Sequence, residues 1–585
     1  MLAAFLCACS TSSPKPTRLS EAELETRIAP GRALLEAGKP AEAEVLFAAA
    51  ATADGDSLRA RTWVLRAWMD QGRNNDTLDE LDALDRGGEK GMDLTYLYGM
   101  TFARRAEGYV ADGVSDASVR MNFVDAADFL ERAVRADPVR YHDAFLPLAG
   151  AAWYVEKPEL ARFAAERAVE VDPASAPAWL LRGRIALAQF AEAERAEPGS
   201  SAAEGRWSEA AHALQRALEL FAAPNDEDAR TQLADAATQL GHARLWRKLG
   251  PEATDAYATA IAWNPLGFPY AQAVEYLRGV QPSPDDERPS GFRAALELGR
   301  TRLESQAGTG DPRAGTLLWY LGWARFVDAD WDGAEEAFHA ALARGPQFSN
   351  AWFYVGLARQ YRQDSEGAVA AMHAGWNADP VAMVAAVEGA LGSQRAFENL
   401  LGWCASQEPP RNLDAAFLAE MLAEARPHEA RHWNNLGLFL RDEGERLELE
   451  AHRDKLPKPD AALLDGLYER SFRAYERALE LTPDDPQLLN DTALMLIYHV
   501  GPDFPRAQGM FERALALIEA QLARPDLSEE DRQRLEQNLA DAKENLQAIL
   551  DHFSGKDAVP DDGAVDAEKD AHGERAAEAS SDGGG

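Results

Sequence analysis

The chain has 585 residues, of which 97 are acidic and 60 basic, for a formal charge of −37 at neutral pH. Nucleic-acid binding and anionic-membrane binding are carried by basic patches, so this balance disfavours both and favours a cationic partner. A chain this long cannot wrap one compact core, and its 46 % hydrophobic content, rich in alanine with little strand-type alternation, reads as all-α.

At the start, Met1 to Ala8 are apolar and Ser10 to Thr17 are small and polar. The run Leu6-Cys7-Ala8-Cys9 resembles a bacterial lipoprotein processing box, where small residues precede a cysteine that becomes lipidated and N-terminal. The resemblance implies that Cys9 is the anchor and that 1–20 are a signal remnant and flexible tether. It also implies a cell-envelope location. Ser10 resembles the outer-membrane-sorted class, so in a Gram-negative cell that means the outer membrane and periplasm. The alternative location is the cytoplasm. No later run reaches the ~18 apolar residues a membrane span needs. Besides Cys7 and Cys9 there is only Cys404, so neither a disulfide framework nor a cysteine metal pattern is expected.

From Glu21 to Phe553 one pattern recurs. Gly31, Ala43, Phe47 and Ala50 form a first copy, with Gly55 where later copies carry proline. Gly99 pairs with a second half at 125–138 across an insertion. Phe145, Leu148, Ala149, Ala161, Ala168 and Pro173 follow, with Ala165 where a bulky residue is usual. Trp179 and Gly183 pair with 207–220 across another insertion, and Gly241, Ala253, Tyr257, Ala260 and Pro265 make the next copy. The cleanest copies are central. Gly322, Ala334, Phe338, Ala341 and Pro346 are followed 34 residues later by Gly356, Ala368, Met372, Gly375 and Pro380. The glycine lets a second helix approach, the alanines sit at the helix crossing, the large residue fills the gap, and the proline stops the helix. The segments 281–311 and 381–425 depart from the pattern. Trp433 to Gly437 open a later unit whose second half, 471–483, follows extra turns around Glu443 to Asp465.

This pattern resembles the tetratricopeptide repeat (TPR). The resemblance implies an α-solenoid, a right-handed superhelix of helix-turn-helix units that bury their faces only against neighbours. The expected organisation is an N-terminal and central array with insertions at 21–380, a degenerate helical segment at 381–425, and C-terminal units with a capping helix at 426–553. Ser528 and Asp531 resemble a capping box at the start of that last helix. Residues 554–585, acidic and poor in large apolar side chains, are expected to be disordered.

No H-E-x-x-H, P-loop, G-x-S-x-G or glycine-rich dinucleotide turn occurs, so no enzyme, cofactor or metal site is expected. His339 and His373 are 34 residues apart, which places them on neighbouring units about 10 Å apart, too far to share a metal. The resemblance places the first helix of each unit on a concave groove. Trp319, Tyr320, Trp323, Phe353 and Tyr354 fall in its groove-facing slots and offer rigid aromatic anchors. Asn434 and Asn435 occupy two of the same slots; members of the family commonly grip a peptide backbone with asparagine there. Arg359 and Arg431 lie near, but the lysine set of chaperone-binding members is missing. Arg184 and His242 take equivalent slots elsewhere. The reading is a non-catalytic scaffold that binds a protein or peptide in its groove at the bacterial cell envelope. It excludes nucleic acid and reaches a membrane only through the lipid anchor. The alternatives are a docking or regulatory module for a separate enzyme and a soluble cytoplasmic adaptor.

Overall fold

The computed structural model describes residues 18–553 except 56, 222–223, 225, 281–287, 391–393 and 502. Cys9 and the tail 554–585 lie outside the described residues. Contacts group the chain into two units, 1–309 and 310–585, and every long element described is an α-helix.

The first hairpin of unit one sets the rule. Helices α1 (Glu21–Glu36) and α2 (Pro40–Ala53) cross at Gly31, where a Cβ would stand 2.5 Å from the Phe47 ring. Ser20 caps α1 in a reciprocal box with Glu23. Next come α3 (Leu58–Asp70) and α4 (Asn74–Arg86), a hairpin that the sequence pattern did not reveal. It keeps the 34-residue register, but Leu65, Thr77 and Leu84 stand where the first hairpin has Gly31, Ala43 and Ala50. All three are buried, so side chains fill a crossing that glycine opens elsewhere.

Helices α5 (Met92–Ala111) and α6 (Ala117–Ala136) meet at Gly99 and Leu130, then α7 (Phe145–Tyr154) pairs with α8 (Pro158–Val171). Ala149 and Ala165 are both fully buried in that pair, a small residue on each side replacing glycine and a ring. Helices α9 (Ala176–Ala196) and α10 (Ser201–Leu220) meet at Gly183 and Leu214, and α11 (Glu227–Trp246) and α12 (Gly250–Trp263) at Gly241 and Tyr257. The departing segment supplies α14 (Phe292–Ala307) after a short α13 (Tyr270–Leu277); Gly299 of α14 lets the helix lie against Ile261 of α12.

Unit two opens on α15 (Gly315–Val327), α16 (Trp331–Leu342), α17 (Ala351–Tyr361) and α18 (Ser365–Ala378). Gly322 faces the Phe338 ring at 2.7 Å from a would-be Cβ, and Gly356 faces Met372 in the same way. Phe338 is fully buried, and withdrawing such a side chain from water contributes roughly 1.5–3 kcal/mol. The second departing segment is also helical: α19 (Pro380–Gly389), α20 (Gln394–Ala405) and α21 (Asn412–Ala425). Then follow α22 (Ala430–Arg453), α23 (Ala461–Leu481), α24 (Pro486–Tyr498), α25 (Phe504–Leu522) and α26 (Glu529–Phe553). The Ser528 hydroxyl accepts from the Asp531 N–H at 3.0 Å, and Ile549 of α26 is buried with Ala493, Leu496 and Phe511. So α26 covers the apolar face that α24 and α25 would otherwise present to water.

The three insertions read from the sequence are not loops. They lengthen both helices of a hairpin, as in α5/α6, α9/α10 and α22/α23. In the last, Gly444 repeats seven residues on what Gly437 does: a Cβ would stand 2.5 Å from Tyr468 at Gly444 and 3.0 Å from Tyr475 at Gly437. Within each unit the chain is an all-α solenoid of stacked hairpins.

Candidate functional site

The first helices of successive hairpins lie beside each other, and α15 and α17 carry the aromatic candidates. The Trp319 indole N–H donates to the Asn350 side-chain oxygen at 3.0 Å. Its ring stands edge-on to Tyr320 at 5.1 Å and to Tyr354 at 5.8 Å, and Tyr354 stacks on Phe338 at 5.4 Å. Trp319, Trp323 and Tyr354 are half-buried over the core of Ala334, Phe338 and Val355. Each ring therefore has one face in the core and part of its surface open, and burial pushes the Tyr354 hydroxyl above its usual pKa.

Phe353 does not join them. It is fully buried and stacks on Phe397 of α20 at 6.2 Å, so it presents no surface to a ligand. The cause is the departing segment, which lays α20 over this part of α17. Asn434 and Asn435 are half-buried on α22, and the Asn434 side-chain oxygen is buried with no hydrogen-bond partner among the described residues. The aromatic set of α15 and α17 and the amides of α22 form two loci, with α18, α19, α20 and α21 intervening in the chain between α17 and α22.

Both arginines expected near the groove are engaged. Arg359 donates to Glu335 at 2.6 Å and Arg362 does so at 2.7 Å, while Arg431 donates to Glu429 at 2.7 Å. Burial pushes the Glu335 carboxyl up, but the Arg359 hydrogen bond and the charges of Arg359, Arg362 and His339 outweigh it and hold the group below the usual range. His339 packs edge-on to Trp352 at 5.2 Å, and His373 stacks on Phe417 at 3.8 Å and meets Asp414 at 2.8 Å. Among the described residues no group of three or more His, Cys, Asp or Glu is placed to hold a metal ion. Nor is any described helix long and apolar enough to cross a membrane.

In unit one, α9 and α11 enclose an open cleft of about 470 Å³. Apolar Leu180 and Leu181 and polar Arg184, Thr231, Gln232 and Asp235 line it. Arg184 faces Asp235 at 3.7 Å. Sequence reasoning singled out Arg184 alone. The spacing Pro177, Leu180, Leu181, Arg184 is the signal that could have found this stripe, since it keeps to one helical face. His242 is a packed ring, edge-on to Tyr257 at 5.7 Å and Tyr276 at 5.2 Å; burial lowers its pKa against the pull of Asp235.

The hairpins α15/α16, with Gly322, Phe338 and Ala341, and α17/α18, with Gly356, Met372 and Gly375 at the same offsets, decide the comparison. Residues 321–374 match the family model of the tetratricopeptide repeat. Among solved structures the chain is similar to yeast Tom70, at 13 % identity over 78 % of this chain and 98 % of that one, with a TM-score of 0.21. It is also similar to the TPR domain of P58(IPK), at 15 % identity over 78 % and 99 % of the two chains, with a TM-score of 0.18. At those scores neither superposition assigns residue equivalence. No curated protein matches the chain. The glycine-to-ring contact of Gly322 and Phe338 recurs at Gly31, Gly241 and Gly437, which face Phe47, Tyr257 and Tyr475.

Proposed function

We propose that this chain is a non-catalytic TPR scaffold that holds partner proteins along its first helices, tethered to the bacterial cell envelope through a lipid on Cys9. The observation that carries the binding reading is the half-open aromatic set of Trp319, Tyr320, Trp323 and Tyr354 on two adjacent first helices. Rigid rings with one face already packed lose little freedom on binding and contribute large desolvated contacts. The ligand is an extended segment or short helix of a protein, since an open groove does not enclose a metabolite. The acidic balance argues against nucleic acid and against direct contact with anionic lipid.

Affinity capture from native extract followed by mass spectrometry tests the binding. Trp323→Ala with Tyr354→Ala is expected to abolish capture of the main partner, each truncation costing about 2 kcal/mol, while circular dichroism stays helical. Retained capture by the folded double variant sinks this locus. The anchor is tested separately by fractionation. Cys9→Ala is expected to move the protein from membranes to the soluble fraction, and an unchanged distribution disproves lipidation there.

A further inference from the structure

Where α22 meets α24, ionisable groups concentrate around one guanidinium. Arg441 donates to Asp442 at 3.0 Å and faces Glu445 and Asp491, each at 3.9 Å. The side chains of Asp442 and Glu445 keep 30 % and 37 % of their surface exposed, so the cluster opens to solvent. His499 meets Glu445 at 3.2 Å.

A second observation comes from α23. The Tyr475 ring lies over Gly437, one helical turn before Arg441, and is fully buried. Among the described residues its hydroxyl has no hydrogen-bond partner, and it lies within electrostatic reach of Arg441, Asp442, Glu445 and Asp491. On the same face of α22, seven residues before Arg441, the Asn434 side-chain oxygen is likewise buried and unmatched. Burying such groups unmatched costs free energy, and a ligand that satisfies them recovers it. The Asn434 oxygen and the exposed carboxylate edges are acceptors, and the Tyr475 hydroxyl can accept as well as donate. A lysine ammonium or arginine guanidinium is donor-only and positively charged, the complementary case.

We infer that this cluster seats a cationic side chain of the bound partner segment. The inference rests on the groove reading above and adds to it a partner chemistry: a lysine- or arginine-bearing segment, its cation against the exposed edges of Asp442 and Glu445 and within electrostatic reach of the buried Tyr475 hydroxyl. Asp442 is the carboxyl whose charged form a further cation would favour. Burial raises its carboxyl pKa, Arg441 pulls the other way, and Glu445 and Asp491 add to the rise.

The test is calorimetric titration of the full chain, at low salt, with a capped peptide of alternating glycine and lysine. The double variant Asp442→Asn with Glu445→Gln is compared with Glu530→Gln with Glu536→Gln, which removes the same charge from exposed positions on α26. The first pair is expected to weaken binding about tenfold and the second less than about twofold. Tyr475→Phe carries no charge change. It is expected to raise the Tm of the free chain, by removing an unmatched buried group, and yet to weaken the peptide; a purely structural hydroxyl would not do both. Equal loss in the two charge-matched pairs, or peptide affinity untouched by Tyr475→Phe, overturns the inference. Partner capture that needs Trp323 and Tyr354, combined with a lysine peptide indifferent to Asp442 and Glu445, removes this seat and leaves the scaffold. The opposite pattern keeps the seat and removes the aromatic locus.

Discussion

At the scale of single residues, the absence of a side chain is as informative as its presence. Gly322 can be nothing larger without moving Phe338. Gly322→Leu is expected to destabilise unit two by about 1–3 kcal/mol through overpacking. Gly150 is the control: it sits inside α7 with nothing within 4 Å of a would-be Cβ. Gly150→Ala is expected to stabilise by about 0.5–1 kcal/mol, because alanine loses less backbone freedom on folding. Thermal unfolding reads both, and a shift of the same sign in the two variants contradicts the placement of the crossing. Glu335 makes a charge prediction. Its folded pKa lies below the ordinary 4.5, so its contribution is complete above that value and is lost as the pH falls through the folded pKa. Glu335→Gln is expected to cost about 1–3 kcal/mol at pH 7, with the difference from the parent chain shrinking in acid. A loss that does not depend on pH assigns the effect to packing instead.

At the scale of elements, legibility follows the small residues. The pairs α15/α16 and α17/α18 could be read because glycine, alanine and proline recur where geometry forbids larger groups. The pair α3/α4 could not, because Leu65, Thr77 and Leu84 satisfy the same geometry by filling it. The aromatic candidates Trp319, Tyr320 and Trp323 lie on α15. Phe353 was not separable from them, because burial by α20 is a tertiary event that leaves no trace in the 34-residue period. The lengthened hairpins were seen as gaps, since an insertion shared equally by two helices looks like a loop in one dimension. That equality is testable. Deleting 444–450 together with 462–468 removes Gly444 and its partner Tyr468 at once and is expected to leave a folded hairpin. Deleting either stretch alone strands the facing turns and is expected to lower the Tm further than the paired deletion does. The reverse order contradicts the matched-extension reading.

At the scale of the whole molecule, stability is local. Each hairpin rests on its neighbours, and contacts gather into the units 1–309 and 310–585. Fragments 18–309 and 310–553, expressed separately, are each expected to keep helical circular dichroism and a cooperative unfolding transition. A fragment that is unfolded alone contradicts this independence. The long α22/α23 hairpin carries the same logic to its own tip. There Leu449, Leu456 and Leu463 are 47 %, 59 % and 50 % exposed, while Leu436 and Tyr475 near its base are buried. Backbone amides should therefore trade hydrogen for deuterium fastest at the tip and ever more slowly toward Gly437, as a zip opens from its free end.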